Sequence, residues 1–232
     1  MTDTLPDKLE TLSPMGRPLR RKEDARLLHG QTNWTDNIQL PGTVYMAILR
    51  SPMAHARITH LDVTPALSEP HVVAAYSAKE LGDLNGAVPC VWPVTDDMQA
   101  PAFPALAVDK VRHVGDCVAV VLATDRNAAY DALDAIEIDY DQLPAVIDLE
   151  SALQPGATLV HDGADSPGTN ECYTYHLPGT GIPYDEAKTK ADVVVKRRFI
   201  NQRLIPAFME PRAVVASPMG VSNEMTVWSS TQ

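Results

Sequence analysis

Between residues 118 and 140 the hydrophobic pattern changes period twice, and this is the clearest local signal in the chain. The run VAVVLA at 118–123 is apolar at every position, as expected of a strand covered on both faces. Asp125 follows as a helix N-cap, and Ala128, Ala129, Ala132 and Leu133 then fall on one helical face, which predicts a helix to about Ala135. Residues 136–140 alternate apolar and polar, the pattern of a half-buried strand. Strand, helix and strand in this order predict a β-α-β unit, and with it an α/β or α+β class.

The same reading extends in both directions. TVYMAILR at 43–50 follows a Pro41-Gly42 turn and predicts a strand. Residues 58–63 alternate weakly and predict a second strand, paired with the first or nearby. Residues 72–76 predict a third, and Ser77 is placed to cap a short helix beginning SAKEL. Residues 85–104 carry four prolines and predict a long irregular loop of the kind often found facing partners. From 143 the chain reads as connector with a short helical piece at 149–153. Strand-like runs return at 191–200, 212–217 and 225–229, which puts a domain boundary near 150–168. Residues 1–15 are polar, hold Pro6 and Pro14, and predict disorder. The basic knot that follows, GRPLRRKED at 16–24, fits a solvated arm as well as one that wraps a partner domain.

Composition narrows the function classes. The chain has 232 residues, 45% hydrophobic and 21% charged, the profile of a soluble globular protein with room for a core. Its net charge of -11 argues against nucleic acid or an anionic membrane surface as the main partner, since both need a positive footprint. No apolar run reaches the length of a membrane span, and the polar start does not read as a signal peptide. Cys90, Cys117 and Cys172 are far apart and lack CxxC spacing, so a disulfide framework or zinc site is not expected. A reducing, cytoplasmic location is the simplest reading.

Candidate chemistry is sparse. The chain has no Gly-x-Gly-x-x-Gly, Walker or Gly-x-Ser-x-Gly signature. His55, His60 and His113 (the last near Cys117) match no metal-ligand spacing and read as surface or turn residues. Asp96-Asp97 and Asp139/Asp141 read as a solvated loop pair and a strand end rather than acid–base groups. Glu210 and Arg212 bring opposite charges to a strand entrance, most simply as an ion pair at a turn. Periodicity and composition thus give an α/β protein and no reaction.

Four stretches in order carry more. MGRPLRRKEDARLLHG at 15–30, the RSPMAHARI run at 50–58, VGDCVAVV at 114–121 continuing through Asp139-Tyr140 and Leu143-Pro144, and PAFMEPR at 206–212 with WSSTQ at 228–232 resemble the large chain of carbon monoxide dehydrogenase-like members of the xanthine dehydrogenase/aldehyde oxidase superfamily. The resemblance covers nearly everything after residue 14. It implies an α/β hammerhead domain with its N-terminal arm at 16–150, a linker at 151–167, and the start of a first molybdopterin-binding domain at 168–232.

What the resemblance implies about function goes further. In this family a molybdenum ion held by a pterin dithiolene hydroxylates an electron-poor carbon of an aldehyde, an N-heterocycle or a similar small molecule, or oxidises carbon monoxide with the help of copper. Electrons leave through iron–sulfur clusters to flavin, and the protein orients cofactor and substrate. The expected cofactor is molybdopterin, in its cytosine dinucleotide form, with 2Fe-2S centres on a small subunit and FAD on a medium subunit, in a dimer of heterotrimers. Gln232 is the one carried-over site residue: the family's glutamine of the Ser-Thr-Gln stretch lies beside the metal and hydrogen-bonds toward an oxo ligand, a role that suits an uncharged amide donor. No catalytic residue or metal ligand is assigned. Met53 stands where histidine is common, and Cys117 where proline is common. The family's later glycine-rich loop and catalytic glutamate do not occur before Gln232, so the chain alone is expected to turn over nothing. The alternatives are a split subunit that needs a partner chain, or a noncatalytic hammerhead interaction module.

Overall fold

The computed structural model describes residues 18–163, 166–177, 179, 181–220, 222 and 224–231. The expected disorder of 1–15 lies outside them. Contacts divide the chain into two compact units, Pro41–Arg198 and Met1–Leu40 with Phe199–Gln232. In chain order the regular elements are α1 (Asp24–Leu28), β1 (Tyr45–Arg50), β2 (Ala56–Asp62), β3 (Val72–Ser77), α2 (Ala78–Leu81), β4 (Lys110–Val111), β5 (Cys117–Ala123), α3 (Arg126–Asp131), β6 (Glu137–Gln142), α4 (Leu149–Ala152), α5 (Tyr184–Lys190), β7 (Val214–Met219) and β8 (Glu224–Ser229). No helix among the described residues is long and apolar enough to cross a membrane.

The larger unit is built on β5. This strand lies between β1 and β3 in one antiparallel sheet, while β2 lies between β4 and β6 in another. Along β5 the side chains alternate between two cores, which explains a run with no polar position. Val118 faces the second sheet, packing with Ala56, Ala107 and Val111 against Ile58, Ile138 and Tyr140. Ala119 and Val121 face the other way, onto Ala132, Ile136, Val63, Ala66 and Ala75. Ala123 joins Ala47 and Ala129 of α3. The layers are therefore sheet, sheet and helix, and the small alanines let them approach closely. The helix after β5 starts where Asp125 accepts a hydrogen bond from the Ala128 amide at 3.0 Å. It finishes as a 3-10 turn over Ala132–Ala135. Ser77 caps α2 in a capping box closed by Glu80, whose carboxyl the Ser77 hydrogen bond holds below its ordinary range.

Three expectations are narrowed or corrected. The strand–helix–strand run at 118–140 exists, but β5 and β6 belong to different sheets and all strand pairings are antiparallel, so it is not a parallel crossover. Of the placements left open for the second strand, pairing with the first is not the one taken; β2 pairs with β4 and β6. The run at 191–200 is no strand: its residues are exposed, and none has a ladder partner among the described residues. β propensity needs such a partner before it becomes a strand. The two later strand-like runs do pair, as the β7–β8 hairpin with Val215 opposite Trp228.

Candidate functional site

The RSPMAHARI motif forms the turn from β1 to β2, and the structure gathers two other motifs around it. Gly115 donates its amide to the Ser51 carbonyl at 2.8 Å, and Ser51 donates its own to the Asp116 carbonyl at 2.9 Å. Arg50 Nη1 reaches the Gly115 carbonyl at 2.8 Å and Cys117 Sγ at 3.2 Å. His55 is buried, with Nδ1 donating to the Pro144 carbonyl at 2.8 Å, while Leu143 returns a hydrogen bond to the His55 carbonyl at 2.9 Å. Since a carbonyl only accepts, the proton sits on Nδ1. Burial pushes the Tyr140 phenol up, against a hydrogen bond with Ser51 that lowers it. These stretches, far apart in sequence, therefore meet as one polar seam beside the Val118 core. Its contacts are structural ones.

Gly115 takes φ +90°, and a Cβ added there would meet nothing within 4 Å. Its requirement is therefore purely one of backbone conformation. Gly115→Ala is expected to lower stability by about 1–2 kcal/mol without repacking the core. Denaturant unfolding checks this, and an unchanged midpoint would count against it.

A second set of contacts involves the PAFMEPR and WSSTQ stretches. Glu210 accepts a hydrogen bond from the Thr35 amide at 3.0 Å, where a 3-10 turn over Thr35–Asn37 begins. It forms no ion pair with Arg212, which corrects the reading of that turn; the backbone amide satisfies the carboxylate instead. Ser230 closes the hairpin. Its Oγ accepts from the Ala213 amide at 2.8 Å, and its own amide donates to the Ala213 carbonyl at 3.1 Å. Ser230, the first residue of the Ser-Thr-Gln stretch, is thus tied to Ala213 directly before β7. Gln232 itself lies outside the described residues. Sequence reasoning singled out neither Ser230 nor Thr35, although Ser230 opens the Ser-Thr-Gln stretch and was a usable signal.

The remaining candidates stay apart. His60 Nε2 lies 3.8 Å from Glu137 on the exposed face of β2. His113 Nδ1 is 3.7 Å from Asp116, and its ring stacks on Phe103 at 6.1 Å. Asp96 and Asp97 are exposed on the irregular loop, and Asp139 and Asp141 lie on β6. Among the described residues no three His, Cys, Asp or Glu side chains stand together as a metal site. A cavity of about 350 Å³ lies between His71 and Asp125, and no residue of 50–58 or 114–121 lines it.

Antiparallel sheets packed on each other and backed by a short helix, with the turn motif bound to the Gly115 loop, define an α/β hammerhead domain. A family model described as the aldehyde oxidase and xanthine dehydrogenase a/b hammerhead domain matches residues 29–144. One described as a molybdopterin cofactor-binding domain matches 166–232. The chain belongs to the aldehyde oxidase and xanthine dehydrogenase family. It is similar to the carbon monoxide dehydrogenase large chain of Afipia carboxidovorans, 32% identical over 99% of this chain and 29% of that protein. It is equally 32% identical to the 6-hydroxypseudooxynicotine dehydrogenase complex subunit gamma of Paenarthrobacter nicotinovorans, over 93% of this chain and 27% of that one. Among solved structures, reconstituted CO dehydrogenase from Oligotropha carboxidovorans matches with a TM-score of 0.75 and 32% identity, over 93% of this chain and 27% of its own. The chain spans less than a third of the length of these relatives.

Among the described residues none beyond Ile136 is buried, and the β7–β8 hairpin is largely exposed. The described part of 166–231 therefore forms no enclosed cradle for a pterin, and none of its side chains holds a position from which a reaction step follows.

Proposed function

We propose that this chain serves within the large, molybdenum-cofactor-binding subunit of a molybdenum hydroxylase. The match of residues 166–232 to a molybdopterin cofactor-binding domain, directly after a hammerhead domain, carries the reading. The reaction class is oxidative hydroxylation of an aldehyde or N-heterocycle, or oxidation of carbon monoxide. Relatives named as carbon monoxide dehydrogenase and nicotine 6-hydroxylase large subunits support it. In this reading the domains are 16–150, a linker at 151–167 and 168–232, and Gln232 approaches the metal. The cofactor is the cytosine dinucleotide form of molybdopterin, and partner subunits hold the 2Fe-2S centres and FAD in a cytoplasmic dimer of heterotrimers. A relative named as one subunit of a dehydrogenase complex favours partners of this kind.

Native purification from the source cell tests this, with molybdenum, iron and flavin measured together with co-purifying chains. The expected result is molybdenum stoichiometric with the assembly and near zero on the isolated 232-residue chain. A native assembly without molybdenum or redox partners would sink the proposal and leave a hammerhead interaction module.

A further inference from the structure

Lys110 is a charged residue in a place that charge avoids. It lies on the two-residue strand β4, and its side chain is 1% exposed. A buried ammonium costs several kcal/mol unless it is paired and hydrogen-bonded. Its partner is Asp162, whose Oδ1 accepts from Lys110 Nζ. The other oxygen, Oδ2, accepts from Arg57 Nη2 of β2 at 3.3 Å. One carboxylate thus bridges two neighbouring strands of the β4-β2-β6 sheet. Lys110 chiefly, through its hydrogen bond, holds the Asp162 carboxyl below its ordinary range, so it is ionised at neutral pH.

Asp162 belongs to no regular element. It lies in the segment after α4, and that segment is closed by a different residue. Asn170 Oδ1 accepts from the Val160 amide at 3.0 Å, while Nδ2 donates to the carbonyls of Ala152 at 3.0 Å and Thr158 at 2.9 Å. Ser166 Oγ donates to the His161 carbonyl. The described residues between 152 and 170 are therefore stapled to one another, with Asp162 against the sheet. The match to the molybdopterin-binding domain begins at 166, so Ser166 and Asn170 come from the leading residues of that domain.

We propose that Lys110, Arg57 and Asp162 form a latch through which the hammerhead domain grips the linker, while Asn170, from the leading residues of the molybdopterin-binding domain, closes the gripped loop and so fixes where that domain begins. The linker is then a bound element rather than a tether. This goes beyond the proposed activity and does not depend on the substrate.

The surrounding charges make the latch one-sided. Arg112 donates from Nη1 to the Lys110 carbonyl at 3.1 Å, and its Nη2 is 4.0 Å from Asp109. Lys110 and Arg57 thus share one carboxylate, and burial together with Arg112 and Lys110 pushes the His161 imidazole down. Asp162→Asn removes the negative charge and leaves the cations facing one another, whereas Lys110→Met removes the demand for it.

Hydrogen exchange read by mass spectrometry on the full chain tests the latch. Asp162→Asn is expected to speed exchange over 158–170 by at least ~10-fold while β1, β3 and β5 hold their protection. The double variant with Lys110→Met should recover most of that loss. Asn170→Ala leaves the buried pair intact and should loosen 152–170 alone, which keeps the test valid if Asp162→Asn fails to fold. Exchange over 158–170 as fast in the parent as in an unstructured chain would overturn the proposal. So would additive effects of the two charge changes, or an Asn170→Ala profile identical to the parent.

Discussion

Val121→Asp is expected to abolish the cooperative unfolding transition of the hammerhead unit. Val121 has no exposed surface and stands at the middle of the central strand. Its ladder partners are Ala47 on β1 and Ala75 on β3, so no polar group flanks it across the sheet. Its side chain enters the cluster of Val63, Ala66, Ala132 and Ile136, where an aspartate finds no cation. An unpaired buried carboxylate costs several kcal/mol. That is comparable with the whole stability of a domain this size, roughly 5–15 kcal/mol. The control Val121→Ala only opens a small cavity and should cost about 2 kcal/mol with cooperativity kept. Circular dichroism against denaturant separates the two. A sharp transition at the parent midpoint in Val121→Asp would show that β5 is not the centre of the fold.

The features legible in the sequence were those set by a residue and its near neighbours. The β5 run showed itself because two cores demand apolar side chains on both faces. Ser77 and Asp125 showed themselves because a cap needs only its own first turn. Sheet membership was not legible, because the choice of β2 for β4 and β6 rests on contacts between distant segments. β4 could not be seen at all. It is two residues long, and its lysine reads as surface until Asp162, 52 residues later, is brought against it. The candidate site was legible only as resemblance. Ser230 and Glu210 show how its approach is tied down, but their partners Ala213 and Thr35 carry no chemical signature that could have announced them.

Limited proteolysis of the isolated chain is expected to cut first within 191–209 and to spare the hammerhead core. Val193, Val195, Phe199, Ile200, Leu204 and Ile205 are all at least 75% exposed, in a stretch without helix or strand. Such apolar exposure is normally covered in a working protein. Lys196, Arg197, Arg198 and Arg203 supply tryptic sites in the same stretch, and only Arg198 has an ion pair among the described residues, with the exposed Glu150 at 2.7 Å. An exposed pair of this kind gives less than about 1 kcal/mol and does not protect a backbone. By contrast Lys110 and Arg112 lie within or beside the buried strand β4, and cleavage there requires opening the sheet. Trypsin should therefore remove the region beyond 196 at rates near those of an unfolded peptide, while a product spanning β1 to β6 persists at least ~100-fold longer. An apolar-surface dye should bind the intact chain and lose most of its signal once that region is gone. Equal resistance of both regions would mean that 191–209 is covered in solution, and the extended segment would then have to be a folded face of the chain.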